Sequence, residues 1–178
     1  SMLRFSGAIE RRGSVLDGTT VSDYDAEEIK RGLSLQTEIA PVQWKDIKIN
    51  ILDAPGYYDF EGEARQCVRV ADSAVIVVDG KAGIEVGTEI AWKLATKAGI
   101  PKAFFINRFD DGEARFHKVF GAIREKYGVN VCPVQIPIID GPNVIGFANL
   151  VEKCIYTFEK AAGEYSRSSI PAQFEEVC

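Results

Sequence analysis

Two short patterns in the sequence put polar groups where chemistry could be done. The first is Asp53-Ala54-Pro55-Gly56, a D-x-x-G turn that closes the apolar run beginning at Ile47. An aspartate there can hold a magnesium-bound water, and a glycine N–H can approach a phosphate closely because no Cβ intervenes. The same four residues also suit a tight strand-to-loop turn. The second pattern is Asn107-Arg108-Phe109-Asp110. An amide followed by a carboxylate can read opposite hydrogen-bonding edges of guanine, since a carboxylate accepts from a ring N–H and an amino group that adenine does not offer together. A helix cap formed by Asp110 or Asp111 accounts for the pattern equally well. Asp79-Gly80 ends a third apolar run and reads as an ordinary turn.

These residues need elements to position them. "KINILDAPG", "SAVIVVDG" (Ser73 to Gly80) and "KAFFINRFD" (Lys102 to Asp110) are short, β-branched or aromatic, and nearly unalternated, as in strands buried on both faces. Between them, Ala64, Val68 and Ala71, then Ile90, Leu94 and Ala98, fall at helical spacing. A third helix is expected from Glu113 to Tyr127, ending at Gly128, with His117 on its surface. Alternation of strand and helix implies a parallel α/β sheet with right-handed crossovers. In such sheets ligands bind at the carboxyl ends of the strands, where both patterns lie. Upstream, Leu33 to Trp44 reads as a strand in a hairpin with Ile47 to Leu52, and Ser22 to Glu28 as a solvated acidic loop.

The bulk properties narrow the partners. The chain has 178 residues and a net charge of −5, so nothing pulls it globally toward DNA, RNA or an anionic membrane. Four cysteines with no C-x-x-C pair and a single histidine match no zinc spacing, and reduced thiols fit a cytoplasmic setting. No run reaches transmembrane length, so no membrane partner is expected.

Taken together, D-x-x-G and N-[KR]-x-D at strand ends, with two strand–helix units between them, resemble a translational GTPase of the elongation factor G type. "GTTVSDYDAEEIKRGLSL" resembles that family's first switch region, and "DAPGYYDFEGEARQCVRVADSAVIVVDGKAGIEVGTEIAW" its second switch and the following units. "FINRFD" resembles its guanine-specificity loop, and the aromatic residue after D-x-x-G points to a divergent branch. The resemblance implies a GTPase sheet of the P-loop type with helices on both faces, GTP or GDP with Mg2+ as cofactors, and the ribosome as partner.

Residue by residue, the resemblance gives Ser34 the hydroxyl that coordinates magnesium and Asp53 the hold on the metal through water. Gly56 would donate to the γ-phosphate, and Asn107, Arg108 and Asp110 would read guanine. Arg108 replaces the family's usual lysine. Tyr57 stands where the family has a histidine that positions the attacking water. A phenol is a poor base at neutral pH, though its hydroxyl can orient a water. Tyr57 and Tyr58 could equally fill an apolar gate or cover the helix that follows.

The phosphate-loop pattern G-x-x-x-x-G-K-[ST] does not occur in the sequence. The expected organisation is therefore a cloning scar at residues 1–2, a partial GTPase domain at 3–132 without its first strand and phosphate loop, and the start of an inserted α+β subdomain at 133–178. Such a piece is expected not to bind GTP well, to be inactive, and to self-associate through exposed sheet edges. The alternative is a GTP-dependent or nucleotide-independent ribosome-binding module with negligible hydrolysis.

Overall fold

The computed structural model describes residues 2–11, 13–14, 17–21, 25–109, 115–141, 143–158 and 165–170. The chain divides into two compact units, Ser1–Ile76 with Val86–Phe104, and Val77–Glu85 with Phe105–Cys178.

The first unit opens with a single helical turn, α1 (Met2–Phe5), and a short helix, α2 (Ala26–Arg31). The Asp25 carboxylate caps α2 by accepting from Glu27 N at 2.7 Å. Gly32 ends the helix in the left-handed region, at φ 64°, which a side chain would resist. The acidic stretch expected as a solvated loop is thus in part a capped helix, and its Glu28 is buried. Residues 22–24 lie outside the described residues.

Strands β1 (Glu38–Trp44) and β2 (Ile47–Asp53) form the expected antiparallel hairpin, in register from Glu38 opposite Asp53 to Trp44 opposite Ile47. Its two-residue turn, Lys45-Asp46, has φ of 45° and 57°. Positive φ at both positions gives the turn a twist that matches the strands. After β2, a 3-10 turn (Tyr58–Phe60) runs directly into helix α3 (Glu61–Val70), which packs against helix α4 (Val86–Ala98).

On α3, Ala64, Val68 and Ala71 are half-buried as their spacing requires, but the deepest residue is Cys67. On α4 Ile90 and Leu94 of the expected stripe are half-buried and Ala98 is exposed, while the deepest residues are Thr88 and Ala95. Trp92 stacks on Phe104 at 5.3 Å, with the rings 5° from parallel, and Lys102 Nζ lies 4.6 Å from the indole centroid. The area of that aromatic pair outweighs the smaller aliphatic stripe in setting the helix rotation. Val42, Cys67, Ile76 and Ala95 form the core of this unit.

Strands β3 (Ala74–Asp79) and β4 (Lys102–Asn107) pair in parallel. Ala74 N donates to Pro101 O at one end (2.9 Å), and Gly80 N donates to Asn107 O at the other (2.8 Å). Strand alternation leaves one side of this pair bare, with Val75, Val77 and Phe105 more than half exposed.

In the second unit, α5 (Phe116–Tyr127) buries Phe116, Val119 and Ile123, and Phe116 stacks on Phe120 at 5.8 Å. The helix ends at Gly128, as expected; its expected start at Glu113 lies outside the described residues. Strands β5 (Gln135–Asp140), β6 (Asn143–Asn149), β7 (Cys154–Phe158) and β8 (Tyr165–Ser169) form an antiparallel meander. Phe147 stacks on Tyr156 across it at 5.0 Å, and Tyr156 meets Tyr165 edge-on. The mixed α/β architecture with a parallel strand pair is the one expected. The strand pairs β1–β2 and β3–β4 form separate sheets, and the order breaks between β2 and β3.

Candidate functional site

In the first unit the candidate residues flank the hairpin. Ser34, half-buried, lies between Gly32 and β1. The following backbone is held by carboxylates. Glu28 Oε1 accepts from Leu35 N (2.6 Å) and Gln36 N (3.1 Å), and Glu63 Oε2 accepts from Thr37 N (2.8 Å). Asp53, the last residue of β2, is exposed. Loss of water around its carboxyl from the neighbouring protein pushes it above the usual range. None of the described residues makes a hydrogen bond or ion pair with that carboxylate. A carboxylate with no partner among the described residues is chemically suited to a hydrated divalent cation, which Asp53 would hold through water. No cluster of three or more histidine, cysteine or acidic side chains exists among the described residues to hold a metal by itself.

Pro55 is buried and fixes the start of the turn, while Gly56 is exposed. A Cβ added to Gly56 would meet nothing within 4 Å, and its φ is not in the left-handed region. The fold therefore does not itself require glycine at position 56. A Cβ on Gly87, in the first turn of α4, would lie 3.1 Å from the Gly56 carbonyl oxygen, so α4 bears directly on this turn. Tyr57 and Tyr58 are 57% and 65% exposed; neither ring is packed away as a core filler. The Tyr57 carbonyl accepts from Phe60 N at 3.0 Å and starts the 3-10 turn.

In the second unit, Asn107 ends β4 with its side chain exposed, and its carboxamide makes no hydrogen bond among the described residues. Arg108 follows at φ 63°, a conformation that turns its guanidinium back to Asp79, with Nη1 3.0 Å from Oδ2. The other Asp79 oxygen accepts from Lys81 N (2.8 Å) and Ala82 N (2.9 Å). These backbone donors, with Arg108 behind them, hold the Asp79 carboxyl down at about 2. Asp79 reads in sequence as a plain turn residue; the structure makes it the brace of the Asn107–Arg108 corner. Only its position at a strand end, level with Asn107, hints at this. Asp110 lies outside the described residues.

A D-x-x-G turn after β2 and Asn107-Arg108 after β4, in an α/β fold with a parallel strand pair, define the class: a GTPase-type nucleotide domain. Residues 1–169 match the family model of the elongation factor Tu GTP binding domain, and the chain belongs to that family. Among its relatives are the elongation factor G proteins of Granulibacter bethesdensis and Gluconobacter oxydans. Each is 33% identical over 177 residues, 98% of this chain. A crystal structure of a protein from Thermus thermophilus superimposes with a TM-score of 0.90 at 32% identity, covering 99% of this chain and 26% of that one. The chain spans about a quarter of the length of these relatives (26% and 25%).

Proposed function

We propose that this chain is the nucleotide-sensing part of a longer GTPase of the elongation factor G type, which binds GTP or GDP with magnesium and couples hydrolysis to a step on the ribosome. The observation that carries this reading is the end of β2. There an exposed carboxylate with no partner among the described residues stands three residues before a glycine that the protein's own packing does not require. A metal-bound water at Asp53 and a phosphate at Gly56 give both features a reason. Asn107, its amide open at the end of β4, and Arg108 take the guanine end of the nucleotide, with Asp110 as third member. The pattern G-x-x-x-x-G-K-[ST] does not occur here, and the reading places that loop in the longer protein, outside residues 1–178. Residues 3–132 are then a partial GTPase domain and 133–178 the beginning of an inserted subdomain. Calorimetry with GTP and GDP in the presence of magnesium tests the reading, on this chain and on a form extended upstream. Binding by the extended form alone is expected; binding by neither overturns it.

Tyr57 favours a second reading, a nucleotide-dependent ribosome ligand with negligible hydrolysis. Its exposed phenol stands where the elongation-factor-G family has a water-positioning histidine. Ribosome-stimulated turnover by the longer protein, compared with its Tyr57→His variant, separates the two. Low turnover that rises at least tenfold in the variant selects the second reading, and comparable turnover in both selects the first.

A further inference from the structure

Three consecutive N–H groups immediately after Ser34 are held by carboxylates from two different helices. Glu28 of α2, 5% exposed, takes Leu35 N and Gln36 N; Glu63 of α3 takes Thr37 N at 2.8 Å. Thr37 Oγ1 also lies 3.3 Å from Cys67 Sγ, one turn further along α3. The ordinary occupation of an acid at the third position of a helix is to reach back to its own cap N–H, or simply to face the positive end of the helix dipole. Glu63 instead reaches a backbone 26 residues away in sequence. The cap position, Phe60, has no side-chain hydrogen bond of its own.

The other end of this connection is the Gly56 turn. The Tyr57 carbonyl accepts from Phe60 N, the 3-10 turn Tyr58–Phe60 follows, and α3 begins at Glu61 without a break. Continuous hydrogen-bonded backbone thus runs from the Gly56 turn to a carboxylate that grips the segment carrying Ser34. Glu28 holds the neighbouring amides from α2, which has no such connection to Gly56. Both Thr37 hydrogen bonds, the hydroxyl's first, lower the Glu63 carboxyl below its usual range, so the charged form is the one that grips.

We propose that Glu63 is a positioning residue that couples the Ser34 segment to the Gly56 turn, so that a displacement of α3 is transmitted as release of the Thr37 amide. This gives the nucleotide site an internal linkage between its two phosphate-facing segments, and its purpose rests on the nucleotide reading above. The linkage itself exists without nucleotide.

Amide hydrogen exchange by NMR on this chain tests it. Glu63→Ala should accelerate exchange at Thr37 about tenfold, the size expected for losing one charge-assisted hydrogen bond. The amides of Phe60 and Glu61, which donate to the Tyr57 and Tyr58 carbonyls between the Gly56 turn and α3, should accelerate with it, while the β1–β2 ladder keeps its protection. Glu63→Gln, whose carboxamide oxygen can still accept, should shift both segments together by a smaller factor, and it decides the matter alone if the alanine variant does not fold. Glu28→Gln should loosen Leu35 and Gln36 and leave Phe60 and Glu61 unchanged. The proposal is overturned if Thr37 and the Phe60 and Glu61 amides respond independently, if the Glu28 variant moves those two amides as much as the Glu63 variants do, or if every amide loosens equally. The readout uses no nucleotide, so failure of GTP to bind and failure of this linkage are separate results.

Discussion

At the scale of single residues, the two aspartates that end β2 and β3 have opposite electrostatics. Loss of water around its carboxyl raises Asp53, while two backbone donors and Arg108 lower Asp79 to about 2. The difference separates them: Asp53 stays without a partner among the described residues, and Asp79 is consumed in bracing a corner. For Asp79 the folded value lies below the ordinary 3.8. Its contribution to stability is therefore fully present above that value and is lost as pH falls toward about 2. Acid titration of the wild type against Asp79→Asn should show this component only in the wild type, with the chemical shifts of Lys81 and Ala82 amides following it. An identical acid profile in the two proteins would mean that the carboxylate does not hold the turn.

Among the elements, α4 and α3 meet at the D-x-x-G turn, and glycine at 87 is what lets them. Replacing Gly87 by alanine favours a helix by about 1 kcal/mol in an ordinary position. Here the new Cβ sits 3.1 Å from Gly56 O, closer than most real contacts, so the turn must yield by a few tenths of an ångström. The expected outcome is a melting temperature that gains nothing from the better helix former, together with shifted amide resonances at Gly56 and Tyr57. A clear rise in melting temperature with an undisturbed turn would show that the approach is slack.

Across the molecule, the β1–β2 and β3–β4 pairs are two-stranded, and such short sheets leave edge N–H and C=O groups open to pairing. Val75, Val77 and Phe105 add an apolar face to the second pair. Self-association is therefore expected, visible as a scattering mass that rises with protein concentration. Placing charge on the face with Val77→Lys should reduce it, whereas a monomeric mass throughout the concentration range would contradict the expectation. Among the described residues no helix is long and apolar enough to cross a membrane.

The amino-acid sequence by itself determined the strand ends and the alternation of strand and helix. β-branched runs and Gly or Pro breaks act locally, and Asp53, Gly56, Asn107 and Arg108 could be placed at strand termini from them. The two-residue turn at Lys45-Asp46 was likewise implied by the spacing of two apolar runs. Tertiary structure decided what those local signals could not contain. The rotation of α4 follows from Trp92 finding Phe104, a contact made across two elements. In sequence Glu28 belongs to a solvated acidic loop and Glu63 to a helical stretch, until the fold brings the amides of residues 35–37 to them. Asp79 becomes a brace only when β3 and β4 pair in parallel and set Arg108 beside it. Side-chain period reports which residues face inward, but partners separated by 26 or 29 residues are chosen by packing, and packing is not a local property of the chain.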